Sequence, residues 1–384
     1  MPLPSINHEC YFAKVQASLL QDKASHSAPP PVPFDDDLVL FQRPPGVEYG
    51  HRIKELLFKL DPTIAMLNNG SYGACPKPVF AVRQQYLELQ EFEPVQFFSD
   101  LGSRLVRVLR AMAEYLNVPP VHLNIVHNAS AGTTNVLRSI PLNKDNAVVS
   151  FSLGYAAVDK QILQICEKSG AKHVVVNVEM PYTHENIIAT FVKVLQTTSN
   201  IGIVVVDHIT SSTGIIMPVH DIIQLCRGRK IPVLVDGAHA IGQIPIDLNA
   251  LQPDFYVSNF HKWMFAPKSC ALLYIRDATQ SQFHVQPAVV SHGYGLGYGA
   301  EHGYLGTLDY SAWLSIPAAL NFHAKMGGTD LMARNHRECL AAAKKLAAAL
   351  KTSLLVSDDS LVGSFCVVLL PPSLFSFALD TPSK

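Results

Sequence analysis

Short apolar runs alternate with helical patterns through the middle of the chain. Continuous runs rich in Val and Ile predict strands at residues 123–126, 147–151, 173–178, 202–207, 232–236, 254–258 and 271–275. Apolar residues at helical spacing predict helices between several of these strands, at 155–168, 183–197 and 218–229. Strands that are apolar at nearly every position are typical of a parallel sheet buried on both faces. The pattern therefore predicts an α/β fold with a mostly parallel, seven-stranded sheet between helices.

The N-terminal third of the chain begins with a segment that has no such periodicity. Residues 1–46 contain clustered prolines and aspartates, which predict a flexible arm. Residues 47–75 predict a short helix followed by an extended stretch. Apolar residues at helical spacing in 76–117 predict two helices. The arm is therefore expected to precede the first compact domain.

The pattern changes again after the last predicted strand. A long helical pattern covers 310–350, and one apolar run at 362–370 predicts a single further strand. We therefore predict a large domain over 47–305 and a small C-terminal α+β domain over 306–384.

Composition excludes several classes of protein. The 384 residues are 48% hydrophobic and 16% charged, with a net charge of −1, so there is no basic field for nucleic acid and no charge excess typical of disorder. No uninterrupted apolar run is long enough to span a membrane, and the N-terminus has no secretory or transit pattern. The seven cysteines are scattered and have no zinc-type spacing, so we expect free thiols in a reducing compartment, the cytoplasm.

Candidate chemistry lies at the ends of two predicted strands. Asp236 ends one apolar run, and Lys262 follows the next one within the stretch Ser-Asn-Phe-His-Lys-Trp. Pyridoxal phosphate chemistry needs such a pair. The lysine amine forms a Schiff base with the cofactor aldehyde, and the carboxylate keeps the pyridine nitrogen protonated so that the ring accepts electrons.

Other strand ends offer weaker signals. Residues 128–134, rich in small and hydroxyl side chains, open a helix and could hold a phosphate, although taken alone they favour an ordinary Ser/Thr helix cap. Tyr155 could stack on a flat ring, or it could belong to the core. The polar run 207–214 and His239 are also compatible with ordinary loop and core roles. A phosphate cradle, an aromatic ring, a carboxylate and a lysine at four strand ends together favour a cofactor site.

Rival motifs are weak or missing. The glycine-rich run 293–299 resembles a dinucleotide fingerprint, but it does not join a strand to a helix. The sequence contains neither a G-x-S-x-G nucleophile elbow nor a Walker A motif.

Taken together, these stretches resemble the class V aminotransferases, which are fold type I pyridoxal-phosphate enzymes. The branch they resemble holds isopenicillin N epimerase-like proteins and plant-type L-cysteine desulfhydrases. The stretches that carry the resemblance are 67–73, 128–132, 207–211, 235–242, 257–263 and 306–311. The resemblance implies pyridoxal 5'-phosphate as cofactor, a small amino acid as substrate and a homodimer with shared active sites. From the charge and the apolar run lengths we expect no nucleic-acid or membrane partner.

The resemblance also implies roles for individual residues. Lys262 would be the Schiff-base lysine and proton shuttle, Asp236 would pair with the pyridine nitrogen, and His239 would lie near the phenolic oxygen. Tyr155 would stack on the ring, and Asn69 would lie near the substrate. The phosphate would be contacted by Ser130, Ala131 and Gly132, supported by Ser258 and His261, and, from a neighbouring subunit, by Gly306 and Thr307.

The end of the chain departs from the family pattern. Related enzymes usually carry there an arginine that binds the substrate carboxylate, whereas no arginine follows Arg337. We therefore expect an incomplete small domain and better support for cofactor binding than for turnover. The favoured function is a C–S lyase resembling L-cysteine desulfhydrase. The alternatives are an epimerase or aminotransferase of the same family, and a non-catalytic cofactor-binding or dimer-partner protein.

Overall fold

A central seven-stranded sheet organises the computed structural model, which describes residues 45–374. The strands are β1 (Leu123–Val126), β2 (Ala147–Phe151), β3 (Lys172–Val176), β4 (Ile201–Asp207), β5 (Val233–Asp236), β6 (Phe255–Asn259) and β7 (Ala271–Ile275). Their order is β1-β7-β6-β5-β4-β2-β3. The β3-β2-β4-β5-β6 pairs are parallel, and β7 is antiparallel to both of its neighbours. All seven strands predicted from the apolar runs are therefore present, with ends that agree to within two residues.

Helices connect and cover these strands. Before and among the strands they are α1 (His51–Leu57), α2 (Asn69–Tyr72), α3 (Lys77–Phe92), α4 (Pro94–Leu116), α5 (Ala129–Ser139), α6 (Ala156–Ser169), α7 (His184–Thr197), α8 (Val219–Arg227), α9 (Leu248–Leu251) and α10 (Phe260–Trp263). After the sheet come α11 (Tyr298–Gly303), α12 (Ser311–Leu314), α13 (Ile316–Lys325) and α14 (Thr329–Leu350).

The sheet has a hydrophobic core on each face. Successive strand residues point to opposite faces, so Val148 packs in one core with α5 and α6, while Val149 packs in the other with α4, α7 and α8. Val204 and Val205 divide in the same way. Burial on both faces explains why the strands are apolar at nearly every position. It also leaves the strand ends as the place where polar groups gather.

Two predictions for the C-terminal part are wrong in detail. The single helix predicted over 310–350 is three helices, because Pro317 lies in the first turn of α13 and the left-handed Gly327 and Gly328 separate α13 from α14. The strand predicted at 362–370 is also absent. Val362 forms an isolated bridge to Ile215.

The segment around residues 363–368 cannot form a continuous ladder because its two ends have different partners. Val368 forms its bridge to Leu354, away from the partner of Val362. Between them, the Ser364 amide donates to the side-chain oxygen of Gln243 at 2.6 Å instead of to another strand. The segment therefore runs across the end of the sheet as an irregular cover.

The predicted domain division stays a prediction. The arm over 1–46 lies almost wholly outside the described residues, as does the chain after 374. Within the described part, α12 and α13 pack on α3 and α4. Among residues 45–374, no helix is both long and apolar enough to cross a membrane.

Candidate cofactor and active site

Polar side chains converge at the carboxyl ends of the parallel strands. Asp207 at the end of β4 is in register with Asp236 at the end of β5, and Lys262 lies on α10 directly after β6. His239 follows β5 in the next turn. In sheets of this kind ligands bind beyond these strand ends, so topology places the predicted groups at the expected edge.

Lys262 and His239 form the centre of this site. The Lys262 Nζ lies 2.9 Å from His239 Nε2, and the Trp263 indole donates to His239 Nδ1 at 3.4 Å. Because Nδ1 accepts, the ring proton belongs on Nε2, where it faces the lysine nitrogen. This arrangement suits an uncharged amine with a free lone pair.

Burial lowers the pKa of both His239 and Lys262. It lowers the pKa of His239 to about 3, with the Lys262 charge adding to the effect. It also lowers the pKa of Lys262, although the carboxylates of Asp236 and Asp207 act in the opposite direction. A lysine whose pKa is lowered has more of the neutral, nucleophilic amine near neutral pH.

The two strand-end carboxyls are both buried. Asp236 accepts the Ala238 amide at 2.9 Å, and burial raises its pKa. Burial and the nearby Asp236 raise the pKa of Asp207 well above its usual value, although Asp207 accepts the amides of Tyr155 and Ser211. Two carboxyls this close repel each other when both carry a negative charge. A cation or a protonated ring nitrogen would offset that repulsion and would therefore be stabilised here.

The start of α5 is capped by two asparagines. Asn128 accepts the Ala131 amide and Asn259 accepts the Ala129 amide, each at 2.9 Å. The Gly132 amide donates to the Asn128 carbonyl, and a methyl group at Gly132 would meet Val257 at 2.7 Å. Gly132 therefore lets α5 lie directly on β6. The phosphate contacts of Ser130, Ala131 and Gly132 remain predictions.

Ser258 and His261 are engaged beneath the site. The Ser258 hydroxyl is fully buried and donates to the Gly237 carbonyl, and it accepts the Ile241 amide at 3.3 Å. It thus ties the turn after Asp236 to β6. His261 Nδ1 lies 3.2 Å from the Cys270 carbonyl, and burial lowers the pKa of His261 to about 4. Their supporting role toward a phosphate is untested.

Three further residues were predicted to belong to the site: Tyr155, Asn69 and Thr307. Tyr155 precedes α6 with 43% of its surface exposed, so its ring is available for stacking. Asn69 donates to the Lys262 carbonyl at 3.0 Å. Thr307 is exposed in the loop after α11, with its hydroxyl 3.5 Å from that of Tyr304. The predicted contact of Thr307 with a neighbouring subunit is not tested by a single chain.

The site is covered by three side chains that the sequence analysis did not select as site residues: Phe365, Trp263 and Gln243. The Phe365 ring is 5.2 Å from His239 and stacks on Trp263 at 5.9 Å. Gln243 joins this cover to the site, because it donates to the His239 carbonyl at 2.6 Å and accepts the Ser364 amide. Trp263 stands beside Lys262 in the motif and could have been selected. No local motif indicated a role for Phe365, because it is separated by more than a hundred residues in sequence from the site residues that it contacts.

A cavity of about 840 Å³ adjoins this cover. Its lining includes Asn69, Trp263, Phe365, Cys339 and Cys366. Lys262 and His239 are not among the lining residues, so the cavity lies on the outer side of the cover, beside the site rather than around the lysine amine.

The donor set fits pyridoxal phosphate. The cofactor needs an amine of lowered pKa, a buried carboxyl for its ring nitrogen and an accessible aromatic face. Lys262, Asp236 and Tyr155 supply these three features at one edge of the sheet. The fit therefore rests on the chemistry of the side chains rather than on motif spacing alone.

Known proteins agree with this assignment. The sequence profile of the family "Aminotransferase class-V" matches residues 74–380. A putative L-cysteine desulfhydrase 1 from Oryza sativa subsp. japonica is 33% identical over 87% of this chain and 72% of its own. The L-cysteine desulfhydrase of Arabidopsis thaliana is 31% identical over 78% and 70%. The isopenicillin N epimerase of Streptomyces clavuligerus is 27% identical over 82% of each chain.

Solved structures confirm the predicted fold class. The cystine C–S lyase C-DES, in complex with its reaction product cysteine persulfide, superposes with a TM-score of 0.69 at 19% identity, covering 77% of this chain and 81% of that one. A cysteine desulfurase from Thermococcus onnurineus NA1 gives a TM-score of 0.68 at 15% identity, with coverage of 90% and 84%. Since the family profile and the relatives each match most of the chain, this protein belongs to the class V aminotransferase family, and its cofactor is pyridoxal phosphate.

Proposed function

We propose that this protein is a pyridoxal-phosphate-dependent C–S lyase that converts cysteine, with water, to sulfide, ammonia and pyruvate. The proposal is supported by the plant relatives, which are named L-cysteine desulfhydrases, and by the site geometry. The observation that carries it is the Lys262 amine, 2.9 Å from His239 and close to the buried Asp236.

Each side chain has a proposed task. When bound, the cofactor supplies an aldehyde and an electron-withdrawing ring. Lys262 would hold it covalently and, once released, move a proton at the substrate α-carbon through Nζ. Asp236 would face the ring nitrogen. His239 stays neutral at physiological pH because burial lowers its pKa to about 3, so it orients Lys262 by a hydrogen bond without competing for its charge.

Phe365 and Trp263 would exclude water from the reacting atoms. The planes of the two rings lie at 12° to each other, and the Phe365 ring also contacts His239. A dry site strengthens the hydrogen bond between Lys262 and His239. The roles proposed for Ser130, Ala131, Gly132, Tyr155, Ser258, His261 and Asn69 follow the family resemblance.

The proposal extends to the oligomeric state of the protein. We propose a homodimer in which Thr307 reaches the cofactor phosphate of the neighbouring subunit, because the family resemblance implies this contact and Thr307 is exposed. The cytoplasmic location stays a prediction.

The test supplies cysteine to purified, cofactor-loaded protein and measures sulfide and pyruvate together. Equal release of both products is expected, and Lys262→Ala should abolish it. Lys168→Ala, which changes an exposed lysine on α6, is the matched control and should keep full activity. Loss of the L-form without sulfide or a keto acid would indicate an epimerase, and formation of a 2-oxo acid that keeps the thiol, in the presence of an amino-group acceptor, would indicate an aminotransferase. A yellow protein that leaves cysteine unchanged would favour the non-catalytic alternative.

A further inference from the structure

Two cysteines face each other beside the site cover. Cys339 lies on α14, and Cys366 lies in the irregular segment that also carries Phe365. Their Sγ atoms are 3.6 Å apart, and both side chains line the cavity of about 840 Å³. A disulfide needs the sulfur atoms at about 2.05 Å, which side-chain rotation of two half-buried thiols in contact can reach.

The chemistry of this pair differs from that of the other described cysteines. The Cys339 thiol donates to the Cys366 sulfur, which lowers the pKa of Cys366 to about 7 and raises the pKa of Cys339. Burial instead raises the pKa of the remaining described thiols: Cys75, Cys166, Cys226 and Cys270. The thiolate is the species that peroxides oxidise, so Cys366 is the reactive one.

We propose that Cys339 and Cys366 are a redox modification site, a dithiol that a hydroperoxide converts to a disulfide. The Cys366 thiolate attacks the peroxide O–O bond, takes up a hydroxyl group as the sulfenic acid and releases hydroxide. The Cys339 thiol then attacks the Cys366 sulfur, the S–S bond forms, and the thiol proton leaves with the hydroxyl group as water. The two thiols lose two electrons and the peroxide gains them.

The disulfide would tie the site cover to α14. In the reduced protein the cover is held by the Ser364 amide on Gln243, by the Leu369 amide on the Ser353 carbonyl at 2.9 Å, and by the stacking of Phe365. A covalent link at Cys366 removes most of the opened states of this segment, because the cysteine next to Phe365 can no longer leave the helix.

Oxidation should therefore slow the opening of the cover above His239 and Trp263. Its effect on catalysis rests on the proposed function: exchange of small molecules with the cavity would slow in the disulfide form. Formation of the disulfide does not depend on the proposed function, since it involves only two thiols and a peroxide.

The test uses full-length holoenzyme treated with hydrogen peroxide, then alkylated and digested without reduction. We expect a cross-linked peptide pair containing Cys339 and Cys366, reversed by dithiothreitol and absent from Cys339→Ser. Cys75→Ser is the matched control and should form the cross-link normally. Backbone hydrogen exchange over 363–370 should then be about tenfold slower in the oxidised protein than in the reduced one.

Several outcomes would overturn the proposal. One is alkylation of both thiols after peroxide treatment with no cross-linked peptide. Another is a cross-link found only between differently labelled chains, which would place the pairing between molecules. Unchanged exchange over 363–370 in the cross-linked protein would refute the tether. None of these readouts depends on turnover, so their failure is distinguishable from failure of the proposed lyase activity.

Discussion

Gly73 is the position where a single methyl group should disturb the Lys262 segment most. Gly73 has φ +68 and ends α2 against α10. A Cβ atom there would lie 1.7 Å from the His261 carbonyl oxygen and 2.7 Å from the Lys262 carbonyl oxygen. Both are backbone atoms of the segment that carries the candidate lysine, so no side-chain rotation relieves the contact. Gly73→Ala must push the two segments apart.

The magnitude follows from what that shift breaks. Placing Ala in the left-handed region costs about 1 kcal/mol relative to Gly. A displacement of more than about 1 Å also lengthens two hydrogen bonds: Asn69 to the Lys262 carbonyl, at 3.0 Å, and the Lys268 ammonium to the Gly73 carbonyl, at 2.9 Å. At about 1 kcal/mol each, the expected loss is about 3 kcal/mol of unfolding free energy.

Gly295→Ala separates the steric contact from the backbone effect. Gly295 has nearly the same φ, +75, but nothing lies within 4 Å of its added Cβ, so only about 1 kcal/mol should be lost. Urea unfolding of the cofactor-free variants measures both losses, and absorbance titration measures cofactor affinity. We expect Gly73→Ala to be the less stable by about 2 kcal/mol and to bind cofactor more weakly. Equal stability of the two variants would refute the predicted packing of α2 on α10.

Four further experiments test the candidate lysine, the carboxyl of Asp236, the cover and the buried His323. Borohydride should fix the cofactor on the peptide containing Lys262, and labelling of a different lysine would show that the lysine is misassigned. Asp236→Asn should keep cofactor but slow turnover on the order of a hundredfold, since a neutral amide does not hold the ring nitrogen protonated; unchanged turnover would exclude that role. Phe365→Ala should leave the native fold intact while making His239 and Trp263 more accessible, which fluorescence quenching by acrylamide measures; unaltered quenching would contradict the cover. Burial lowers the pKa of His323 to about 4, so below pH 6.5 the unfolded chain binds a proton that the folded one does not, and stability falls as pH falls toward 4. His323→Phe should reduce that loss by about 1.4 kcal/mol per pH unit, read from urea unfolding at two pH values; an unchanged slope would show that His323 is not held neutral.

The order of strands and helices could be predicted from the sequence because it depends on local pattern. Burial on both faces requires strands that are apolar at nearly every position, so the runs ending at Asp236 and preceding Lys262 could be recognised without knowing their neighbours. Parallel strands must present their carboxyl ends at one edge, so Lys262 and Asp236 were predicted to meet there. An ordinary Ser/Thr cap at the start of α5 was among the alternatives, since a cap is a local signal, and the structure supplies the cap from Asn128 instead.

Contacts between distant segments were decided only by the tertiary structure. The register that places Asp207 beside Asp236 depends on strand pairing, which a run of apolar residues does not specify. The apolar run at 362–370 was predicted as a strand, yet its ends form bridges to Ile215 and to Leu354 and the Ser364 amide binds Gln243 between them. It is therefore a cover that brings Phe365 to His239 and Cys366 to Cys339. Sequence by itself determined the fold class, the cofactor chemistry and the strand ends, because these follow from local periodicity and motif. Tertiary packing alone decided what lies over the lysine and which thiols meet, because those contacts are energetically favourable only once chain segments far apart in sequence have been brought together.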